Sequence, residues 1–149
     1  MEAISHYYNV SVKWDSGRKG ILTSPELISN VEVVTPPQFP KGIEGLWSPE
    51  HLFVAAVNSC LMTTFLSIAE NSKLEYVSFE SNAKGKLEMV EGKYMMSEVI
   101  LEPIITLSDA LQKEKAERVL EKSEANCLIS NSIKSKIVFN PTVLVSGAK

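Results

Sequence analysis

Cysteine, histidine and arginine are all scarce in this chain. Among its 149 residues there are two cysteines (Cys60 and Cys127), two histidines (His6 and His51) and two arginines (Arg18 and Arg118). Two cysteines cannot build the disulfide framework of a small secreted domain. No CxxC or HExxH spacing occurs and the histidines stand far apart, so neither a metal site nor a cofactor is expected. The thirteen lysines are scattered and the net charge is −3, which leaves no electrostatic footprint for nucleic acid. No apolar run reaches the roughly 18 residues of a spanning helix. The opening MEAISHYYNVSVKW lacks the basic-then-apolar order of a signal peptide. The expected location is therefore cytoplasmic, with no membrane partner.

What is present reads as one ordinary domain over residues 1–149. Hydrophobic residues make up 44% and charged residues 22%, both globular values. A chain this long buries roughly 70% of its extended surface and folds without staples. Val10, Val12 and Trp14 alternate within residues 4–14, a strand pattern. Asp15-Ser16-Gly17-Arg18-Lys19-Gly20 is a turn, and short strands are predicted at Ile21–Thr23 and Val31–Thr35, giving an antiparallel meander. Residues 35–49 hold four of the seven prolines and two of the seven glycines and read as a long loop.

A helix follows. Ser48 suits the N-cap, Pro49 the first helical position, and Glu50 the positive end of the dipole. HLFVAAVNSCLMTTFLSIAEN is apolar around most of its circumference, which predicts a central, buried helix ending at Asn71-Ser72. Residues 74–107 read as a long antiparallel pair turning at Glu91-Gly92-Lys93. Ser108 or Asp109 caps a second, half-exposed helix with an Ala116, Val119 and Leu120 stripe. A short helical piece at Cys127–Ile133 and a closing strand from Lys136 to Val145 complete the order βββ-α-ββ-α-α-β, an α+β domain; Pro141 suggests an edge or a bulge.

Cys60 sits mid-helix, where a cysteine can simply pack, and Cys127 can be a small apolar residue at a helix junction. Arg18 lies between Gly17 and Lys19-Gly20, as a surface charge or as a group able to hold a thiolate. Arg118 stands among charges and reads as solvated.

The segment Ser48-Pro49-Glu50-His51-Leu52-Phe53-Val54-Ala55-Ala56-Val57-Asn58-Ser59-Cys60 resembles the signature of the OsmC/Ohr family, the osmotically inducible and organic hydroperoxide resistance proteins. The Gly17-Arg18 turn and the second cysteine in Asn126-Cys127 share in the resemblance. Leu128 stands where the family often has proline, and His51 where glutamine or glutamate is common; an OsmC-like branch is nearer than Ohr proper. The resemblance implies a thiol-dependent peroxidase that reduces organic hydroperoxides and forms an intertwined homodimer. It implies Cys60 as the peroxidatic thiol, Cys127 as the resolving thiol, Arg18 and Glu50 as the activating pair, and an external dithiol, lipoyl-type or a small thiol, as reductant.

The chemistry makes its own demands. A peroxidatic sulfur must be a thiolate. Cys60 lies too far from the helix start for the dipole to help, and burial pushes a thiol up. Lowering a thiol from ~8.5 to ~6 needs roughly 3.4 kcal/mol. A guanidinium about 4 Å away supplies ~4 kcal/mol at an effective dielectric near 20, so Arg18 held by Glu50 would suffice. Ten helical residues separate Glu50 from Cys60, ~15 Å along the axis. The expectation is thus that Glu50 and Arg18 of one chain meet Cys60 of its partner. An apolar wall from Phe39, Phe53 or Trp47 would favour bulky peroxides. Two other readings compete: a non-catalytic small-molecule binder or stress-response protein of the same fold, and a hotdog-type thioesterase using Glu50.

Overall fold

The computed structural model describes residues 4–147. Two compact units make up the chain, one up to Leu52 and one from Phe53 onward.

The N-terminal unit is the expected meander. Strands β1 (Ser11–Ser16), β2 (Lys19–Thr23) and β3 (Val31–Val34) form an antiparallel sheet in the order β1-β2-β3. The β1–β2 turn uses Gly17 at a positive φ of 51°, a conformation glycine adopts without a Cβ penalty. The following loop is pinned by backbone bonds, among them Ile43 N–H to Thr35 O at 2.9 Å and Gly42 N–H to Phe39 O at 3.0 Å. A Cβ at Gly42 would collide with the Pro36 carbonyl, so only glycine lets the loop close there.

Helix α1 spans Pro49–Asn71. Ser48 caps it as expected: Ser48 Oγ accepts from the His51 backbone N–H at 3.1 Å. At the other end Lys73 adopts φ 56° and Leu74 N–H reaches Ala69 O at 2.9 Å, closing the last turn. Its length and mean hydropathy of 1.8 are those of a membrane-crossing segment, contrary to the sequence expectation. The helix nevertheless carries Asn58, Ser59, Thr63, Thr64 and Ser67, and packs one face onto the sheet of the C-terminal unit. That face is Val57, Leu61, Phe65 and Ala69, at i, i+4, i+8 and i+12. Met62 and Leu66 remain about 40% exposed, so the helix is buried on one side rather than all round.

Strands β4 (Ser78–Val90) and β5 (Lys93–Leu107) form the long hairpin. Glu91 and Gly92 both take positive φ in its two-residue turn, the pattern that matches strand twist. Along β5 every second residue from Val99 to Leu107 is buried, the period-2 signature of a strand with one face on the core. Gly85 on β4 faces α1: a Cβ there would strike Val54 and Met96.

Asp109 caps a short 3-10 turn (Ala110–Gln112) that runs into helix α2 (Lys113–Ala125). Its Ala116, Val119 and Leu120 join Phe65, Ala69, Ile105 and Leu107 in one apolar cluster. The last two elements differ from expectation. Only Ser130–Ser132 of the Cys127–Ile133 segment is helical, as a 3-10 turn. The closing strand is two strands, β6 (Lys136–Phe139) and β7 (Thr142–Val145), both parallel to β5. Pro141 lacks an N–H and so interrupts the ladder between them, while Asn140 N–H reaches Leu101 O at 2.8 Å.

Candidate functional site

In the C-terminal unit the fold brings Cys60 and Cys127 together. Both are free thiols; Cys60 is half-buried and Cys127 is wholly buried. Cys60 sits on α1 with its Sγ 3.9 Å from Thr64 Oγ1, one turn on. Cys127 begins the turn after α2, fixed by Cys127 N–H to Glu124 O at 3.2 Å and Asn131 N–H to Cys127 O at 3.0 Å. Its Sγ is 3.9 Å from Val57 O, one turn of α1 before Cys60. The two sulfurs are close enough for each to act on the other's titration.

Their surroundings drive them apart. Burial pushes the Cys60 thiol up. The backbone N–H of Ile129, the Cys127 thiol, the Thr64 hydroxyl and the backbone N–H of Leu128 together outweigh it, and hold Cys60 below the ordinary thiol range. Burial also pushes Cys127 up. The Ser130 hydroxyl and N–H oppose this, but the neighbouring Cys60 adds to it, and Cys127 stays above the ordinary range. One sulfur is therefore disposed to be a thiolate and the other to stay a thiol, whose S–H is aimed at the Val57 carbonyl.

The donors at Cys60 come from three places, two of which a sequence reading misses. Thr64 could have been found, since i+4 on a helix faces the same way. The Leu128 and Ile129 N–H groups are backbone, and only the folded turn aims them at α1. Ser130, three residues from Cys127, is a further residue that reading passed over.

Arg18 and Glu50 belong to the N-terminal unit. Arg18 is exposed on the β1–β2 turn, its carbonyl accepting from Thr35 N–H at 3.1 Å. Among the described residues neither side chain forms an ion pair, so Arg18 and Glu50 are not joined within the unit that holds both. His51 is engaged locally, with Nδ1 2.6 Å from Ser48 Oγ and its ring edge-on to Trp47. No group of three potential metal ligands forms among the described residues.

Of the three residues expected to wall the site, Phe39 and Trp47 lie in the N-terminal unit. Phe53 packs into the core against Val57, Leu61, Val99 and Leu101. Beside Thr64, between α1 and α2, lies an open cleft of about 610 Å³ lined by Thr63, Ser67, Asn71, Lys122 and Asn126 among others. The lining mixes hydroxyl, amide and ammonium groups with apolar surface that includes Ile68.

The family model described as OsmC-like protein matches residues 42–142, more than half of the chain. The chain belongs to the OsmC-like protein family. The uncharacterized protein YmaD of Bacillus subtilis is 24% identical to this OsmC-like chain over 140 residues, 89% of each protein. An OsmC-like protein of unknown function from Vibrio cholerae superposes with TM-score 0.81 and 25% identity, covering 92% of this chain and 99% of that one. An organic hydroperoxide resistance protein from Elizabethkingia anophelis superposes with TM-score 0.76 at 22% identity, over 98% of this chain and 100% of its own. At these identities the solved structures establish the OsmC-like fold; the chemistry rests on the site.

Proposed function

We propose that this OsmC-like protein is a cysteine-based peroxidase that reduces organic hydroperoxides to alcohols at the expense of an external dithiol. One observation carries the reading. A partly exposed sulfur is held below the ordinary thiol range, with a second thiol close enough to act on it. Structural cysteines do not need donors aimed at them, whereas a peroxidatic one does.

The cycle follows from the two sulfurs. The Cys60 thiolate attacks the distal oxygen of ROOH. The S–O bond forms as the O–O bond breaks, and the alkoxide leaves and takes a proton to become the alcohol. The Leu128 and Ile129 N–H groups that favour the thiolate are placed to stabilise charge at this sulfur. Cys127 then attacks the sulfenic sulfur, water leaves, and a Cys60–Cys127 disulfide closes. A dithiol reduces it and is itself oxidised to a disulfide.

Arg18 and Glu50 enter as groups from a second copy. Helix α1 runs unbroken from Pro49 to Asn71, and ten of its residues span ~15 Å, too far for one guanidinium to bridge Glu50 and Cys60 of the same chain. Exposed Trp14 and Val12 on β1, and Met62 and Leu66 on α1, are apolar surface that a two-fold partner would cover. In this reading the active unit is a cytoplasmic homodimer with two shared sites.

The test is consumption of cumene hydroperoxide with dithiothreitol as reductant. Cys60→Ser should abolish turnover, while Cys127→Ser should still oxidise at Cys60 but stall as a sulfenic acid unless reductant attacks it directly. Turnover by Cys60→Ser at the parent rate would refute the reading and leave a binding protein of the same fold.

A further inference from the structure

The turn after α2 serves the two sulfurs with different groups. The N–H groups of Leu128 and Ile129 go to Cys60. Near Cys127 stands Ser130, three residues on in the same turn, whose N–H and hydroxyl act on the charge of that sulfur although the hydroxyl makes no hydrogen bond to the neutral thiol. Ser130 is 8% exposed, and its Oγ is the buried side-chain oxygen that lacks a hydrogen-bond partner among the described residues. An unpaired buried hydroxyl is costly, and it is retained beside a sulfur that has no other side-chain donor.

Access fixes what that sulfur must do. Cys127 is fully buried and Cys60 is half-exposed, so an external thiolate reaches a Cys60–Cys127 disulfide at Cys60. The sulfur that leaves is then Cys127. In the reduced protein Cys127 points its thiol at the Val57 carbonyl, a partner that accepts but cannot donate. A departing thiolate facing that carbonyl in a buried site would be repelled by it, unless a donor replaces the lost bond.

We propose that Ser130 is a catalytic residue of the regeneration half-reaction: its buried hydroxyl donates to Cys127 Sγ as that sulfur leaves, when a dithiol attacks Cys60 Sγ of the disulfide. The steps balance. The reductant thiolate forms a bond to Cys60 Sγ, the S–S bond breaks, and its electron pair goes to Cys127 Sγ. The second thiol of the reductant, as thiolate, then attacks the reductant sulfur of the mixed disulfide. This releases the Cys60 thiolate and the oxidised cyclic reductant. Cys127 takes up a proton. The proposal rests on the peroxidase reading only for the physiological origin of the disulfide.

The experiment therefore makes the disulfide in two ways, with diamide and with one equivalent of cumene hydroperoxide. Recovery of thiols by excess dithiothreitol at pH 7 is followed by quenched alkylation and mass spectrometry. Ser130→Ala should slow recovery about tenfold, the scale of one hydrogen bond to a charged atom. First oxidation of Cys60, in which Cys127 is not yet a reactant, should stay within twofold of the parent. The melting temperature should not fall, because the hydroxyl removed has no partner in the reduced state. In a Cys60→Ser background the same change should move the titration of Cys127 upward. Recovery within twofold of the parent overturns the proposal. A slowing matched by slower Cys60 oxidation and a lower melting temperature overturns it too, since that marks a structural role. If peroxide leaves both thiols free while the diamide disulfide still shows the Ser130 dependence, the peroxidase reading fails and the assignment of Ser130 stands.

Discussion

Cys60 and Cys127 are neighbours in a desolvating environment, yet donors act on Cys60 from three directions while Cys127 has only Ser130. In the proposed cycle the opposite directions of their titrations make Cys60 the nucleophile and leave Cys127 as the resolving thiol. Because Cys60 lies below the ordinary thiol range, its thiolate persists as pH falls, and is lost only when pH drops through that lowered value. The rate of peroxide reduction should therefore hold from alkaline to neutral pH and decline at more acid pH. Thr64→Val removes one donor at 3.9 Å and keeps the shape. The expected result is a rate slower by about two- to fivefold at neutral pH, the effect of one weak hydrogen bond. The midpoint of the pH–rate profile should move up, recorded by single-turnover kinetics across the pH range.

At the scale of elements, the site is the meeting of helix α1 with the turn that follows α2. Periodicity reveals helices and strands because burial repeats along them. The meander, α1, the hairpin and α2 were all legible for that reason. Ser48 also read correctly as a cap, since capping needs only a side chain and its own helix. The turn at Cys127–Ser132 was not legible as an anion-binding element. Its contribution is made by N–H groups, which every residue but proline carries, and only the tertiary fold decides where they point. Leu128→Pro tests the backbone contribution directly. Proline is tolerated at the start of a helical turn but deletes the N–H that Leu128 offers to Cys60. The thiolate midpoint of Cys60, followed by absorbance near 240 nm, should rise, and peroxide oxidation at pH 6 should slow by about three- to tenfold. An unchanged midpoint in a folded variant would mean that the Leu128 N–H does no such work.

At the scale of the whole molecule, the amount of uncovered apolar surface is the main departure from what the sequence suggests. A helix apolar nearly all round implies full burial, yet Met62 and Leu66 stay exposed in the single chain, as do Val12 and Trp14 on β1. A three-stranded antiparallel sheet of short strands needs cover on one face to be stable. Sequence cannot say whether cover comes from the same chain or another copy, because the pattern of apolar residues is the same in both cases. The proposed homodimer predicts that Leu66→Glu, on the exposed face of α1, shifts the sedimentation coefficient from dimer to monomer at micromolar concentration. Peroxidase activity should fall at least tenfold as Arg18 of the second copy is lost to the site. A variant that stays dimeric and active would place the interface elsewhere.

The most direct measurement of the central claim is a count of free thiols before and after one equivalent of an organic hydroperoxide. The account predicts that two thiols per chain disappear, that excess dithiothreitol restores both, and that Cys60→Ser leaves its remaining thiol untouched. Retention of both thiols at neutral pH, with the hydroperoxide unconsumed, would contradict it.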